Sequence, residues 1–267
     1  MRAMSTPKPG TRAALSAIAG ELARNIEFEK AEGLRSIEVP PDAVARLAEP
    51  PPARRPAALQ PAARAGGGLE EIAARIAGCT RCPLHRTRNR TVPGQGHPHP
   101  DLMFVGEGPG ADEDREGLAF IGRAGQLLTR LILRMGLTRE TVFIANVVKC
   151  RPTENYEMQR DRAPTEEEMR TCLPYLEEQI ATLRPKVIVC LGGTATLGLL
   201  ELKGITRLRG QWHEFRGIPV MPTYHPSYLL RGGGDEKARY WEVWEDMIQV
   251  LARLGRPAPD VRKPPQA

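Results

Sequence analysis

From Leu69 onward, short apolar runs alternate with longer stretches of helical periodicity. Residues 102–105, 142–148, 187–191 and 218–221 are apolar runs too short for helices, and they read as strands. Between the first two, Ala124, Leu127, Leu128, Leu131, Ile132 and Met135 recur at helical spacing and form one helix face. A second helix opens at Thr165, with Glu168 three residues on as a capping box, and continues through Met169, Cys172, Leu173, Leu176 and Ile180. Pro174 inside it predicts a kink. A last helix carries Tyr240, Trp244, Met247, Ile248 and Leu251 on one side. The pattern predicts an α/β fold: a central, mostly parallel four-stranded sheet flanked by helices, with ligands at the strand ends.

The region before Leu69 is different. Prolines recur among Ala and Arg from 40 to 61, and Gly66, Gly67 and Gly68 close the stretch, so it reads as a linker. Ahead of it, Leu15, Ile18, Leu22 and Ile26 predict one helix, too short to be a domain. The expected division is an N-terminal extension, 1–68, a catalytic-size domain, 69–256, and a flexible tail, 257–267. Net charge of +6 favours an anionic partner such as nucleic acid but also suits an ordinary enzyme. No run approaches the roughly 18 apolar residues of a membrane span, and no signal peptide is recognisable. Glu21, Glu27, Glu29 and Glu32 count against an organelle presequence, so a cytoplasmic protein is expected. In that compartment five cysteines are ligands or core thiols rather than disulfides.

Cys79 and Cys82 form a Cys-x-x-Cys pair, and Cys150 and Cys172 lie far along the chain. Four thiolates could converge, and spacing alone leaves a structural zinc, a four-iron cluster and unliganded thiols all open. Cys190, inside an apolar run, reads as a buried strand thiol. The first strand ends in Gly106-Glu107-Gly108-Pro109-Gly110, which is either a ligand loop or a tight turn with a solvated glutamate. No Gly-Lys-Ser/Thr follows, so it is no P-loop. The second strand ends at Asn146, whose amide could read a base edge or merely be satisfied within the sheet. The fourth is followed by Tyr224-His225-Pro226-Ser227-Tyr228-Leu229-Leu230-Arg231, a turn with an imidazole, apolar wedge candidates and an arginine.

Together the 106–110 loop, the 117–125 stretch with Phe120, Asn146-Val147-Val148-Lys149-Cys150-Arg151-Pro152 and His225-Pro226-Ser227 resemble family 4 uracil-DNA glycosylases in order and spacing. The resemblance spans about residues 69 to 255, including Cys82-Pro83-Leu84 and Thr91-Val92-Pro93-Gly94. It implies a 4Fe-4S cluster on Cys79, Cys82, Cys150 and Cys172, and a uracil pocket at the strand ends. It further implies that Glu107 orients the attacking water, Phe120 stacks on uracil, and Asn146 reads its polar edge. His225 would bond the uracil oxygen that gains charge, Glu113 would obstruct the thymine methyl, and backbone at Gly108 would complete the pocket. Leu229 is the expected wedge into the base stack, with Ser227, Tyr228 and Arg231 at phosphates.

The implied partner is uracil-containing DNA, single- or double-stranded, engaged by a monomer; the N-terminal extension, which the resemblance does not cover, is only a candidate contact for a replication or repair protein. The segment 154–162 is longer than family members carry: a surface insertion, or a sign that Cys172 is misassigned. A covalently DNA-trapping subgroup carries an Arg-Arg-Ile-His loop that this chain lacks, so turnover is expected. Two rival readings are a noncatalytic metal-containing nucleic-acid-binding module and a glycosylase for a broader range of deaminated bases.

Overall fold

The computed structural model describes residues 68–154, 160–230 and 236–259. The expected N-terminal helix, the linker, most of the tail and Arg231 lie outside them. In chain order the elements are α1 (Leu69–Ala77), a 3-10 turn (Pro83–Arg86), β1 (Gln95–Gly96), β2 (Leu102–Gly106), α2 (Ala111–Glu116), α3 (Arg123–Arg134) and β3 (Phe143–Asn146). There follow α4 (Glu166–Leu183), β4 (Val187–Leu191), α5 (Gly193–Leu200), α6 (Ile205–Leu208), β5 (His213–Phe215), β6 (Ile218–Thr223), α7 (Pro226–Leu229) and α8 (Glu236–Arg253).

The sheet has six strands in the order β1-β3-β2-β4-β6-β5, rather than four. The four strands read from the sequence form its parallel centre, and β1 and β5 add short antiparallel edges. At two and three residues, those edges are too short to show a period of two. Centre strands are buried on both faces, which is why they read as unbroken apolar runs rather than alternating ones.

Successive side chains divide between two cores. Leu102, Phe104, Ile144, Val187 and Val189 meet Leu128, Leu131 and Ile132 of α3 and Trp244, Met247 and Leu251 of α8. Met103, Val105, Ala145, Ile188 and Val220 meet Ile72 and Ile76 of α1, Leu176 and Ile180 of α4, and Leu199 of α5. Each fully buried large side chain contributes about 1.5–3 kcal/mol of hydrophobic stabilisation before entropic costs. The Thr165 hydroxyl accepts from Glu168 N, and the Glu168 carboxylate accepts from Thr165 N, so the expected capping box opens α4. The helix runs on through Pro174 to Leu183.

After the short edge β1 the chain takes the centre of the sheet at β2, steps to β3 on one side, then crosses to β4 and β6 on the other. Connections therefore leave the carboxyl ends of β2 and β4 in opposite directions, and a crevice opens between them. Among the described residues no helix is long and apolar enough to cross a membrane.

Candidate active site

A cavity of about 680 Å³ occupies that crevice. Glu107 and Gly108 from the end of β2, Glu113 from α2, Phe120, Asn146 from the end of β3, and His225, Ser227 and Tyr228 around α7 all line it. Side chains separated by more than a hundred residues thus face one space.

Asn146 is 1% exposed, and its Oδ1 has no hydrogen-bond partner within the protein. An orphaned buried acceptor costs about 1–3 kcal/mol, so its place in a ligand-sized cavity matters. The neighbouring strand makes room for it. Gly106 pairs with Asn146 across β2 and β3, and a Cβ there would come within 2.4 Å of both Asn146 Oδ1 and the Phe120 ring. Beyond Asn146 the chain turns along the β2 loop: Val147 N donates to Gly106 O at 2.9 Å, and Val148 N to Glu107 O at 3.1 Å. Those bonds replace the last residues of the expected strand 142–148, which as β3 ends at Asn146.

Glu107 is half-buried, and burial pushes its carboxyl above the ordinary carboxylate range, opposed by a hydrogen bond from the Thr194 hydroxyl. Glu113 has little freedom: Oε2 accepts from Gly110 N at 3.1 Å, and Oε1 from Ile121 N and Gly122 N, each at 2.9 Å. Phe120 is buried with φ +53, the left-handed region, and its ring centroid lies 5.8 Å from that of His225.

His225 caps α7, and its Nδ1 accepts the Ser227 backbone N–H at 3.1 Å. A backbone N–H only donates, so the neutral imidazole carries its proton on Nε2. The Ser227 hydroxyl stands 2.7 Å from the same Nδ1 and also lines the cavity. Tyr228 packs on Tyr224 at 4.8 Å and beneath the Arg239 guanidinium at 4.7 Å.

Leu229 departs from expectation. It is 7% exposed and packs into the core with Tyr224, Val243 and Trp244, whereas Leu230 is 36% exposed. The single turn of α7 rotates the first leucine inward and leaves the second facing out, a distinction that a Leu-Leu pair does not display in sequence.

Sequence reasoning missed part of the wall. Gly192 and Gly193 at the end of β4 and Tyr224 after β6 line the cavity. The strand-end rule applied to β2 would have found the two glycines at the end of β4 as well. Pro152, Asp161, Arg162 and Ala163 also line it. The long segment between Cys150 and Cys172 is therefore partly pocket wall, not only a surface insertion. Its described ends are joined by a Thr153–Asp161 bridge, by Arg151 Nε to Asp161 at 2.6 Å, and by a bidentate pair from Arg162 to Glu168 at 2.7 Å.

A second, smaller void is lined by Cys79, Cys82, Cys150 and Cys172, with Arg88 and Lys149. Arg88 Nη1 donates to Cys150 Sγ at 3.1 Å, and Lys149 N to Cys172 Sγ at 3.4 Å. Burial pushes the Cys150 thiol up to about 11, against the opposing Arg88 cation, and raises Cys172 as well. Thiolates in such a place need a cation to hold them ionised. Among the described residues no three His, Cys, Asp or Glu side chains form a group that could hold a single metal ion, although the four cysteines line one void. Lys149, 1% exposed, donates from Nζ to Asn146 O at 2.8 Å and Gln179 Oε1 at 2.7 Å, tying the cysteine void to the end of β3. Cys190 is fully buried in β4, as its apolar run predicts.

The model of the Uracil DNA glycosylase superfamily matches residues 93–248. A type-4 uracil-DNA glycosylase of Thermotoga maritima is 45% identical over 182 residues, 67% of this chain and 91% of that protein. The type-4 uracil-DNA glycosylases of Sulfurisphaera tokodaii and Pyrobaculum aerophilum are 44% and 43% identical, each over 61% of this chain and over 76% and 85% of their own lengths.

Proposed function

The chain belongs to the uracil DNA glycosylase superfamily, in its type-4 branch, and we propose that Glu107, Phe120, Asn146 and His225 carry its chemistry. The reaction hydrolyses the N-glycosidic bond of deoxyuridine in DNA, releasing uracil and leaving an abasic site for repair. The observation that carries the residue assignment is the buried, unpartnered Asn146 Oδ1, in one cavity with the other three groups.

Uracil presents an N3–H flanked by two carbonyls. Asn146 Oδ1 accepts that N–H, and its amide nitrogen donates to O4, with the Phe120 ring stacked on the base. As the C1′–N1 bond breaks, its electron pair moves into the uracil ring and charge accumulates on O2. The His225 Nε2–H points a donor at that oxygen, which such sites commonly make worth about 100- to 1000-fold in rate. The Glu107 carboxylate favours the cation-like sugar, orients water toward C1′ and takes its proton. Glu113, fixed by its three backbone donors, stands against a 5-methyl group. Extruding the base from duplex costs a few kcal/mol, and the exposed Leu230, rather than Leu229, is suited to fill the gap. Ser227, Tyr228 and Arg231 remain proposed contacts to the DNA backbone.

We assign Cys79, Cys82, Cys150 and Cys172 as ligands of a 4Fe-4S cluster. Support comes from the four cysteines lining one small void, with the Arg88 guanidinium bonded to Cys150 Sγ and the Lys149 backbone N–H to Cys172 Sγ, donors that suit anionic thiolates. The cluster would supply iron–thiolate cross-links joining the segment after α1 to α4 and the end of β3, and no hydrolytic step passes through it.

The test pairs release of uracil from oligonucleotides, scored as alkali-labile sites with thymine and cytosine controls, with iron analysis of the same protein. Activity on uracil alone and about four irons per chain are expected. Salt-sensitive binding that survives Glu107→Ala and His225→Ala, with no base release by wild type, would instead indicate a noncatalytic binding module.

A further inference from the structure

The 119–122 backbone beneath the cavity is gripped from two sides. From one, Glu113 Oε1 accepts the N–H groups of Ile121 and Gly122, both at 2.9 Å. From the other, the Arg139 guanidinium donates through Nη2 to Ala119 O at 2.6 Å and through Nη1 to Phe120 O at 2.9 Å. Gln95 Oε1 accepts Ala119 N at 3.2 Å. Arg139 is itself held, since Nη1 also reaches Thr129 Oγ1 at 3.1 Å and that hydroxyl donates to Gly125 O at 2.9 Å.

This density of bonds has a reason. Phe120 is the one residue of the segment in the left-handed region, a conformation that costs an ordinary side chain about 1–2 kcal/mol. The turn closes so tightly that a Cβ on Gly125 would lie 1.9 Å from Phe120 O. Left unbonded, the segment would relax toward ordinary backbone angles and carry the ring with it.

We propose that Arg139 is a positioning residue for base recognition: with Glu113 opposite, it clamps the 119–122 backbone so that the Phe120 ring is set before DNA arrives. It touches neither base nor sugar and acts through Phe120. This rests on the stacking role assigned to Phe120, and the test separates the two.

The experiment is a double-mutant cycle on single-turnover uracil release, using the intact protein with DNA affinity and melting measured alongside. Phe120→Ala tests the stacking role by itself; a rate unchanged by it would remove that role. Arg139→Met should lower the rate about 10- to 100-fold while DNA affinity stays within about twofold, as expected when a reacting group is displaced by about an ångström. Arg139→Lys, which restores one donor, should recover part of the loss. In the Phe120→Ala background Arg139→Met should change the rate by less than about twofold, because its target is gone. Thr129→Val removes the support behind the guanidinium and should produce a smaller loss of the same kind, which serves if Arg139→Met does not fold. Losses that multiply in full across the cycle, or an Arg139→Met rate near wild type, would overturn the proposal.

Discussion

Glu107 carries a measurable signature of its surroundings. Burial raises its carboxyl above the ordinary value of 4.5, so the charged form is disfavoured in the folded chain. Activity needs that charge, so single-turnover rate should fall as pH drops through a limb lying above 4.5. A limb at or below that value would contradict the role. Stability runs the other way. An acid with a raised folded pKa binds its proton more readily when folded, so its ionisation costs stability, in full above the folded pKa and not at all below the unfolded one. Glu107→Gln should therefore melt higher than wild type at neutral pH and lose that advantage in acid, while uracil release drops about 100- to 10000-fold. A calorimetric comparison at two pH values checks the first part. At this scale the cavity lining was partly legible: Glu107, Asn146 and His225 sit at or just beyond strands whose ends form the crevice, whereas Phe120, between α2 and α3, was reached only through the family resemblance. Leu229 was misjudged because a leucine turned inward looks no different in sequence from an exposed one.

Among the elements, α7 offers the sharpest contrast. Leu229→Ala should cost about 2–5 kcal/mol of stability, as removal of a packed core side chain does. Leu230→Ala should leave melting nearly unchanged yet slow uracil release from duplex about tenfold more than from single strands, since only duplex demands that a gap be filled. Equal losses on both substrates would leave Leu230 without a wedging role. The four central strands were legible because burial on both faces makes continuous apolar runs, and α4 because its capping box is local chemistry. The edges were not, since two or three residues take strand form only by pairing with β3 and β6. The end of β6 was missed for a different reason: Pro222 argues against a strand, yet the strand continues through it to Thr223.

Across the whole molecule, the two centres differ in what their loss should do. Cys172→Ser should lower both iron content and melting temperature, whereas Cys190→Ala, in the strand core, should retain iron at the wild-type level. Iron retained in full by Cys172→Ser would remove that residue from the ligand set. Deleting residues 1–66 should leave uracil release within about twofold of wild type, because their linker composition separates them from the domain that holds the cavity. A large loss of rate would assign them a part in catalysis. The site also depends on positions with no side chain to offer. Gly106 yields the space that Asn146 and Phe120 fill, and Gly125 lets the Phe120 turn close. A genetic screen for strains accumulating cytosine-to-thymine transitions should therefore recover lesions at these two codons, producing proteins that still occupy DNA while the deaminated base goes unrepaired.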